Sequence, residues 1–294
     1  MNTGIDVDGY LRRLGLDGRA GRSPSIEALT ELHRAHAERV PYESLEIWLG
    51  RPTTVDPTES VDRIVRGRGG YCYHLNGAFS ALLRALGFHV SRHVGGVQPT
   101  TGRPPGADAN HLVLTVSGLP SAEAPDGRWL VDLGMGDGLH EPLPLVEGLH
   151  RQGPFTYGLR PSEAEPGGWR FDHDPRGGFL GMDFRAEAAE MTAFADKHQF
   201  LSTSPESGFV RTATAQRRDA GGADVLRGLT LSRVSETVSR TALETPGDYF
   251  AALADLFGLT LDEVSAAERA VMWRRLVEAK EGPRPGPGPS AVRL

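Results

Sequence analysis

The chain of 294 residues has a single cysteine, Cys72, set in the run RGRGGYCYHLNGAFSALLRALGF at residues 66–88. Glycines lead up to it and an amphipathic segment follows. A thiol attacks carbon well only as a thiolate, and the first turn of a helix favours that anion through its N–H groups and the positive end of its dipole. Gly69 and Gly70 just before it also let another backbone or a substrate come close. The same residue type suits a small core position, because free cysteines are commonly buried. A base, and a group that orients the base, decide between the two readings.

Ten histidines offer a base. NHLVLTVSG places His111 at the start of a strand, on the face of Val113 and Thr115, and RWLVDLGMG places Asp132 near the end of the next. A hairpin turned midway along the connecting GLPSAEAP, between Ser121 and Ala122, sets His111 directly opposite Asp132. Opposed residues of an antiparallel pair share a face, with β-carbons about 4.5–5.5 Å apart. That is hydrogen-bond reach for an imidazole and a carboxylate. His111 would take the thiol proton and Asp132 would fix the imidazole tautomer, the Cys-His-Asp arrangement of covalent catalysis. Taken singly, His111 also fits a satisfied half-buried histidine, and Asp132 a turn residue before Gly134.

The elements that must carry these side chains follow from periodicity. Up to Gly87 the pattern is helical: SPSIEALTELHRAHAERVP spaces Ile26, Leu29, Leu32, His33 and His36 at three and four, TESVDRIV reads as a short helix capped by Thr58 or Ser60, and a third helix starts near Gly70–Tyr71 with Leu75, Phe79, Leu82, Leu83 and Leu86 on its apolar face. From about residue 88 the period falls to two, with strands at FHVSRHVGGV, HLVLTVSG, RWLVDLGMG, FTYGLRP, GGWRFDH and GFLGMDF. Residues 186–203 read as helical again, strands fall near 209–216 and 225–235, and helices at 246–257 and 261–279 close the chain. Segregated helical and β parts indicate an α+β fold rather than an alternating βαβ sheet.

Composition narrows the function class. A net charge of -6 with 24% charged residues argues against a nucleic-acid-binding surface. One cysteine leaves no intramolecular disulfide, no apolar run approaches the ~18 residues of a membrane helix, and MNTGIDVDGYLRRLGLDG lacks a signal-peptide pattern. The expectation is a cytoplasmic enzyme with no nucleic-acid or membrane partner.

Several stretches are familiar together. RGGYCYHLNGAF, HLVLTV and LVDLGMGDGLHEPLPL resemble the three signature regions of the arylamine N-acetyltransferase family. LHRAHAERVPYESLEIWLGRP is similar to that family's helix ending in Pro-Phe-Glu-Asn, and FLSTSPESGFV to a segment of its third region, so the resemblance runs in order over roughly residues 8–280. It implies an α+β fold with a cysteine-protease-like core: a helical bundle at 1–88 carrying the nucleophile, a central antiparallel β-barrel at 89–185 carrying His and Asp, and an α/β lid at 186–280. The proline- and glycine-rich 281–294 read as a disordered tail. By the match Cys72, His111 and Asp132 fall on the catalytic triad, and Glu43 and Arg68 on an ion pair bracing it. Gly134, Met135 and Gly136 fall on a loop near the substrates, with Tyr42 and Tyr71 as further candidate substrate contacts. No metal or bound cofactor is implied. Acetyl-CoA or another acyl-CoA would acylate the thiol, and an aromatic amine, hydrazine or hydroxylamine would accept the group.

Three positions depart from the family pattern: His74 for Glu or Gln, Met135 for Phe, and Ser44 for Asn. None removes the triad, although Met135 replaces a flat aromatic wall with a flexible thioether. His74, two residues along a helix from Cys72, should point away from it. Beside the N-acyltransferase reading stand an amide synthase that takes its acyl group from an acyl carrier protein, a thiol hydrolase of papain or transglutaminase kind, and a catalytically idle relative. His89 and His93 do not converge as metal ligands in a period-two segment, the DHD at 172–174 reads as a solvated turn, and Gly134, Gly136 and Gly138 do not make a dinucleotide motif.

Overall fold

In a computed structural model the described residues are 4–18, 21, 23–99 and 102–281. The chain opens with helices α1 (Val7–Arg13) and α2 (Ile26–Arg39), whose N-terminal N–H groups are met by the side chains of Asp6 and Ser25. A two-residue strand β1 (Tyr42–Glu43) and a short helix α3 (Leu45–Trp48) lead to α4 (Pro57–Val65). Asp56 caps α4, not Thr58 or Ser60, because Pro57 occupies the first helical turn and moves the start forward. Helix α5 (Cys72–Ala85) is the centre of the bundle: Leu75, Phe79, Leu82 and Leu83 pack against α1, α2 and α4, and against Leu112, Leu114 and Val116 of the first sheet.

That sheet contains β2 (His89–Gln98), β3 (His111–Ser117), β4 (Trp129–Val131), β5 (Leu143–Pro144), β6 (Gly148–Gln152), β7 (Phe155–Pro161), β8 (Trp169–Asp172) and β9 (Gly181–Ala188). All pairings are antiparallel, in the order β5-β4-β3-β2-β9-β8-β7-β6, and form a nearly closed barrel. Val113, Leu130, Phe155, Tyr157, Phe171, Met182 and Phe184 share one of its apolar clusters. Strand β3 is sandwiched, with Val113 in that cluster and Leu112 and Leu114 in the helical core. Its first six residues are therefore all buried, which hides the alternation a one-sided strand would show.

After the barrel the chain departs from the expected pattern. Strand β9 runs on to Ala188, so helical structure starts only at the 3-10 turn Met191–Phe194 and continues in α6 (Ala195–Thr203) and α7 (Gly208–Arg211). Where two strands were read there are four: β10 (Thr214–Asp219), β11 (Gly222–Arg227), β12 (Thr230–Val234) and β13 (Val238–Ala242). Gly222 (φ 153°) opens β11 and Gly228 (φ 55°) makes the next turn, so apparently continuous runs fold into hairpins. They join β1 in a second antiparallel sheet, β1-β10-β11-β12-β13. Helices α8 (Pro246–Phe257) and α9 (Ala266–Glu281) close the chain; Leu253, Phe257, Met272 and Leu276 share an apolar cluster with Leu45 and Trp48 of α3. The last helix starts later than residue 261 because Leu261 has a positive φ of 52°. The stretch read as a tail lies, beyond residue 281, outside the described residues. Among those, no helix is long and apolar enough to cross a membrane.

Candidate active site

Cys72 is the first residue of α5. Tyr71 before it is extended (φ -99°, ψ -170°), and no side chain caps the helix, so its N–H end is left facing the thiol's surroundings. The approach to the helix is tied down on the other side. Glu43 N donates to Gly70 O at 2.9 Å, and Tyr42 bridges Gly70 in parallel fashion. A β-carbon on Gly69 would lie 1.9 Å from the Pro41 carbonyl oxygen, so only glycine allows the two segments to touch. The thiol itself is 3% exposed, with Sγ 3.7 Å from the carbonyl oxygen of Asn110.

The structure brings His111 and Asp132 together, by a register other than the expected one. Leu114 pairs with Val131 and Thr115 with Leu130, two residues displaced from the symmetric hairpin. The turn is closed by Ser121 N to Ala124 O, with Ser121 Oγ accepting from Glu123 N and Ala124 N, which moves its centre one position along the chain. A two-residue displacement keeps every side chain on its face. His111 and Asp132 are therefore diagonal rather than opposed, and still meet at 2.7 Å through Nε2 and Oδ2.

With Nε2 on Asp132, the other ring nitrogen is free of that carboxylate, and Cys72 lies close enough to favour the charged ring. Burial works against an imidazolium here. It is outweighed by the charge and hydrogen bond of Asp132, then by those of Cys72, so His111 is pushed up to about 10. The ring stays protonated across neutral pH in a site where the acid is 1% and the base 2% exposed. A charged imidazole held beside the lone thiol by a buried acid is the kind of arrangement by which a sulfur nucleophile is activated.

Asn76 was not singled out from the sequence. One turn along α5 from Cys72, its Nδ2 donates to Asp132 Oδ1 at 2.9 Å and to Leu112 O at 2.6 Å, while its Oδ1 accepts from Leu133 N at 2.9 Å. It ties the helix of Cys72 to the segments that carry His111 and Asp132. The available signal was an amide four residues after the cysteine, on the same face of the helix. Asp132 Oδ1 accepts also from Gly134 N at 2.8 Å. Gly134 lies so close that a β-carbon there would sit 2.7 Å from Cys72 Cα.

The remaining candidates surround this centre in different ways. Glu43, 2% exposed, pairs with Arg68 at 3.2 Å and accepts from Leu45 N at 2.6 Å. Arg68 also bonds Glu46 and Glu263, which tie the segment before Cys72 to α3 and to the turn before α9. Tyr42 is half-buried, and burial, then the charges of Cys72 and Asp137, holds its phenol well above its usual range. Tyr71 points into the core, its hydroxyl 2.5 Å from His198 Nδ1 and its ring against Tyr73, His74 and Phe209. Met135 is buried in the barrel cluster with its side chain folded over Gly138, and Gly136 (φ 72°) faces the Gln216 amide. His74 packs on Tyr71 and His198; burial, then Arg63 and His198, keeps it well below its usual value and neutral.

The DHD stretch is not a solvated turn. His173 and Asp174 are buried, the imidazole is packed by Tyr157, Phe171 and Phe179, and Asp174 is bound by Arg176 and by Thr156 N. Tertiary packing supplied partners that the neighbouring Pro175 and Gly177 concealed. His93 is likewise used internally, between Thr115 Oγ1 and Glu187 O. Among the described residues no group of three or more His, Cys, Asp or Glu side chains is placed to hold a metal ion.

Comparison with known proteins accords with this geometry. A family model described as N-acetyltransferase matches residues 25–266. An arylamine N-acetyltransferase of Mycolicibacterium smegmatis is 38% identical over 152 residues, covering 50% of this chain and 53% of its own. Proansamycin X synthase of Amycolatopsis mediterranei is 35% identical over 154 residues, 50% of this chain and 55% of that one. The chain thus spans about half the length of these curated relatives. The structure of Mycobacterium marinum arylamine N-acetyltransferase in complex with CoA superposes over 92% of this chain and 98% of that one, with a TM-score of 0.80 and 26% identity.

Proposed function

The chain belongs to the arylamine N-acetyltransferase family, and on that premise we propose that it transfers an acyl group from an acyl-CoA to an amine through a thioester on Cys72. The observation that carries the proposal is the buried His111–Asp132 hydrogen bond of 2.7 Å beside the only cysteine, itself at a helix start. In the first half-reaction the Cys72 sulfur attacks the thioester carbonyl with its proton carried by His111, and the departing CoA thiolate takes that proton. In the second, the amine nitrogen bonds to that carbonyl carbon, His111 takes one N–H proton, and the C–S bond breaks to return Cys72. Splitting one acyl transfer into two in this way is covalent catalysis with a ping-pong signature.

The rest of the site has supporting roles in this reading. Glu43 and Arg68 brace the turn before the nucleophile. Tyr42, Gly134, Met135 and Gly136 border the substrates, with Tyr71 behind them. Residues 1–88 supply the nucleophile, 89–185 the base and the acid, and 186–280 the lid. A cytoplasmic location fits an acyl-CoA donor.

A second reading keeps the triad and changes the donor to an acyl group on a carrier protein. It is favoured by the 35% identity to a protein named as a synthase. Intact-protein mass after brief exposure to acetyl-CoA, longer acyl-CoAs and acyl carrier protein thioesters separates the two. An acyl mass added from a CoA ester and lost in Cys72→Ala supports the first. An adduct from carrier protein alone supports the second. No adduct from any thioester removes both.

A further inference from the structure

Asp132 and Gly134 lie on the loop that joins β4 to β5, and the loop runs on to His140 and Glu141. Its middle is held from the barrel and the second sheet. Tyr157 Oη and Arg218 Nε both donate to Gly138 O, at 2.7 and 3.1 Å, and Gly178 N donates to Asp137 Oδ2 at 2.6 Å. Its far end is gripped by helix α2. His33 Nδ1 lies 3.0 Å from His140 O, Glu38 Oε1 lies 2.7 Å from His140 Nε2, and Arg34 Nη2 donates to Glu141 Oε1 at 2.6 Å. Three side chains of one helix thus converge on two consecutive residues, and none of them is a reacting group.

His33 is the unexpected member. It is fully buried, in edge contact with the Phe79 ring of α5, at a place that leucine would fill with no polar atom. A buried polar group is costly unless it is hydrogen-bonded. Burial pushes the imidazole down to about 4, although the His140 carbonyl and the charge and main chain of Asp132 favour its protonation, so at neutral pH the ring has one N–H. A carbonyl only accepts, so that N–H is on Nδ1 and donates to His140 O. Nε2 is left buried without a partner. What this ring supplies and a hydrocarbon would not is the bond to His140 O. Because Asp132 also acts on it, the ring bears on both ends of the loop.

We propose that His33 is a positioning residue for the acid: by fixing the far end of the 132–140 loop to α2, it keeps Asp132 on His111 and Gly134 against Cys72. This rests on the reading of Cys72, His111 and Asp132 as the reacting groups. The path between them is short. Phe79, on which His33 packs, stands about two turns along α5 from Cys72. Asn76 stands between the two and donates to Asp132 Oδ1 at 2.9 Å. Helix α2, helix α5 and the loop therefore meet around one imidazole. Without the bond to His140 O the loop is no longer fixed against α5. The charge-assisted bond between Asp132 and His111 then loses its alignment, and the thiol loses part of the imidazolium that favours its anion.

Two amide variants place a donor at one ring nitrogen or the other. The side-chain nitrogen of asparagine stands where Nδ1 of histidine does, and that of glutamine where Nε2 does. His33→Asn therefore keeps the donor to His140 O, His33→Gln moves it away, and His33→Leu removes it. The readout is the rate of iodoacetamide alkylation of Cys72 between about pH 5 and 10, on protein with native circular dichroism. His33→Leu and His33→Gln should react about tenfold more slowly than wild type at pH 7, as for one lost hydrogen bond, and His33→Asn within about twofold. The two slow variants should also show profiles displaced to higher pH. A merely structural histidine would lower the urea midpoint and leave the alkylation rate of folded protein unchanged. Glu38→Ala, at a partly exposed position, frees the His140 ring and should slow alkylation too; it carries the test if the buried variants fail to fold. A wild-type rate in His33→Leu, or in Glu38→Ala where the buried variants do not fold, overturns the proposal and leaves the activation of Cys72 intact. So does an equal loss in His33→Asn and His33→Gln. A wild-type thiol that titrates as an ordinary cysteine overturns the underlying reading as well.

Discussion

Replacing Asp132 by asparagine keeps the shape of the side chain and removes its charge. In the native site His111 lies at about 10 against an ordinary 6.5, with burial opposing the shift and Asp132 the largest contribution in its favour. At about 1.4 kcal/mol per unit, the net preference for the imidazolium is of order 5 kcal/mol. In Asp132→Asn the opposing burial prevails, the ring is neutral at pH 7, and the thiol loses the partner that stabilises its anion. Iodoacetamide alkylation between about pH 5 and 10 reads this directly, because only the thiolate reacts. Wild type should react rapidly with a flat profile through neutrality. The variant should be slower at pH 7 by about 30-fold, the thiolate shortfall of an ordinary thiol there, and gain rate as pH rises. Stability supplies an independent sign. A group whose folded pKa is raised contributes fully below its unfolded value of 6.5 and loses that contribution as pH climbs through about 10. The gap in urea midpoint between wild type and Asp132→Asn should therefore narrow from pH 7 to pH 10. A variant alkylated within threefold of wild type at pH 7, or a gap that widens with pH, would refute the imidazolium assignment.

Three further substitutions probe how Cys72, His111 and Asp132 are held. Gly134→Ala puts a β-carbon 2.7 Å from Cys72 Cα and 2.8 Å from its Cβ, with main chain unable to yield cheaply, so acylation measured by mass should fall sharply even if circular dichroism is native. Asn76→Ala strands Leu112 O and Leu133 N in the core and removes a donor from Asp132; about 1–3 kcal/mol for each unpaired group predicts a urea-measured loss of roughly 3 kcal/mol. Glu43→Gln leaves Arg68 with Glu46 and Glu263, so the cost should lie at or below the ~3–5 kcal/mol of a broken buried pair. A neutral result in thermal unfolding would mean that those two acids carry the guanidinium alone.

Local chemistry was legible in the residues themselves. A glycine pair before a cysteine and an amphipathic run after it announce a helix start, and α5 begins at Cys72. Period-two segments announced most of the barrel strands, and the choice of His111 and Asp132 survived an incorrect register because a displacement of two preserves the face of a strand. What stayed hidden has a common character. Asn76, Tyr73 and Asn110 act through hydrogen bonds to main-chain groups remote along the chain, and a side chain's identity does not name a distant backbone partner. His173 and Asp174 looked solvated because their neighbours favour turns, yet aromatic rings and an arginine converge on them. The five-stranded sheet, with Tyr42–Glu43 paired to Ala215–Gln216, could not be read from a two-residue strand.

The sequence by itself determined which reactive groups the chain has to offer: one thiol, its place at a helix start, and a histidine and an acid on neighbouring strands. Only the tertiary structure decided how those atoms are protonated and aimed. Protonation depends on burial and on charges brought together over tens of residues, and aim depends on contacts such as Ala109 O on Tyr73 and Gly134 on Cys72. Both are set by distances between segments remote along the chain, which exist only once the chain has closed on itself.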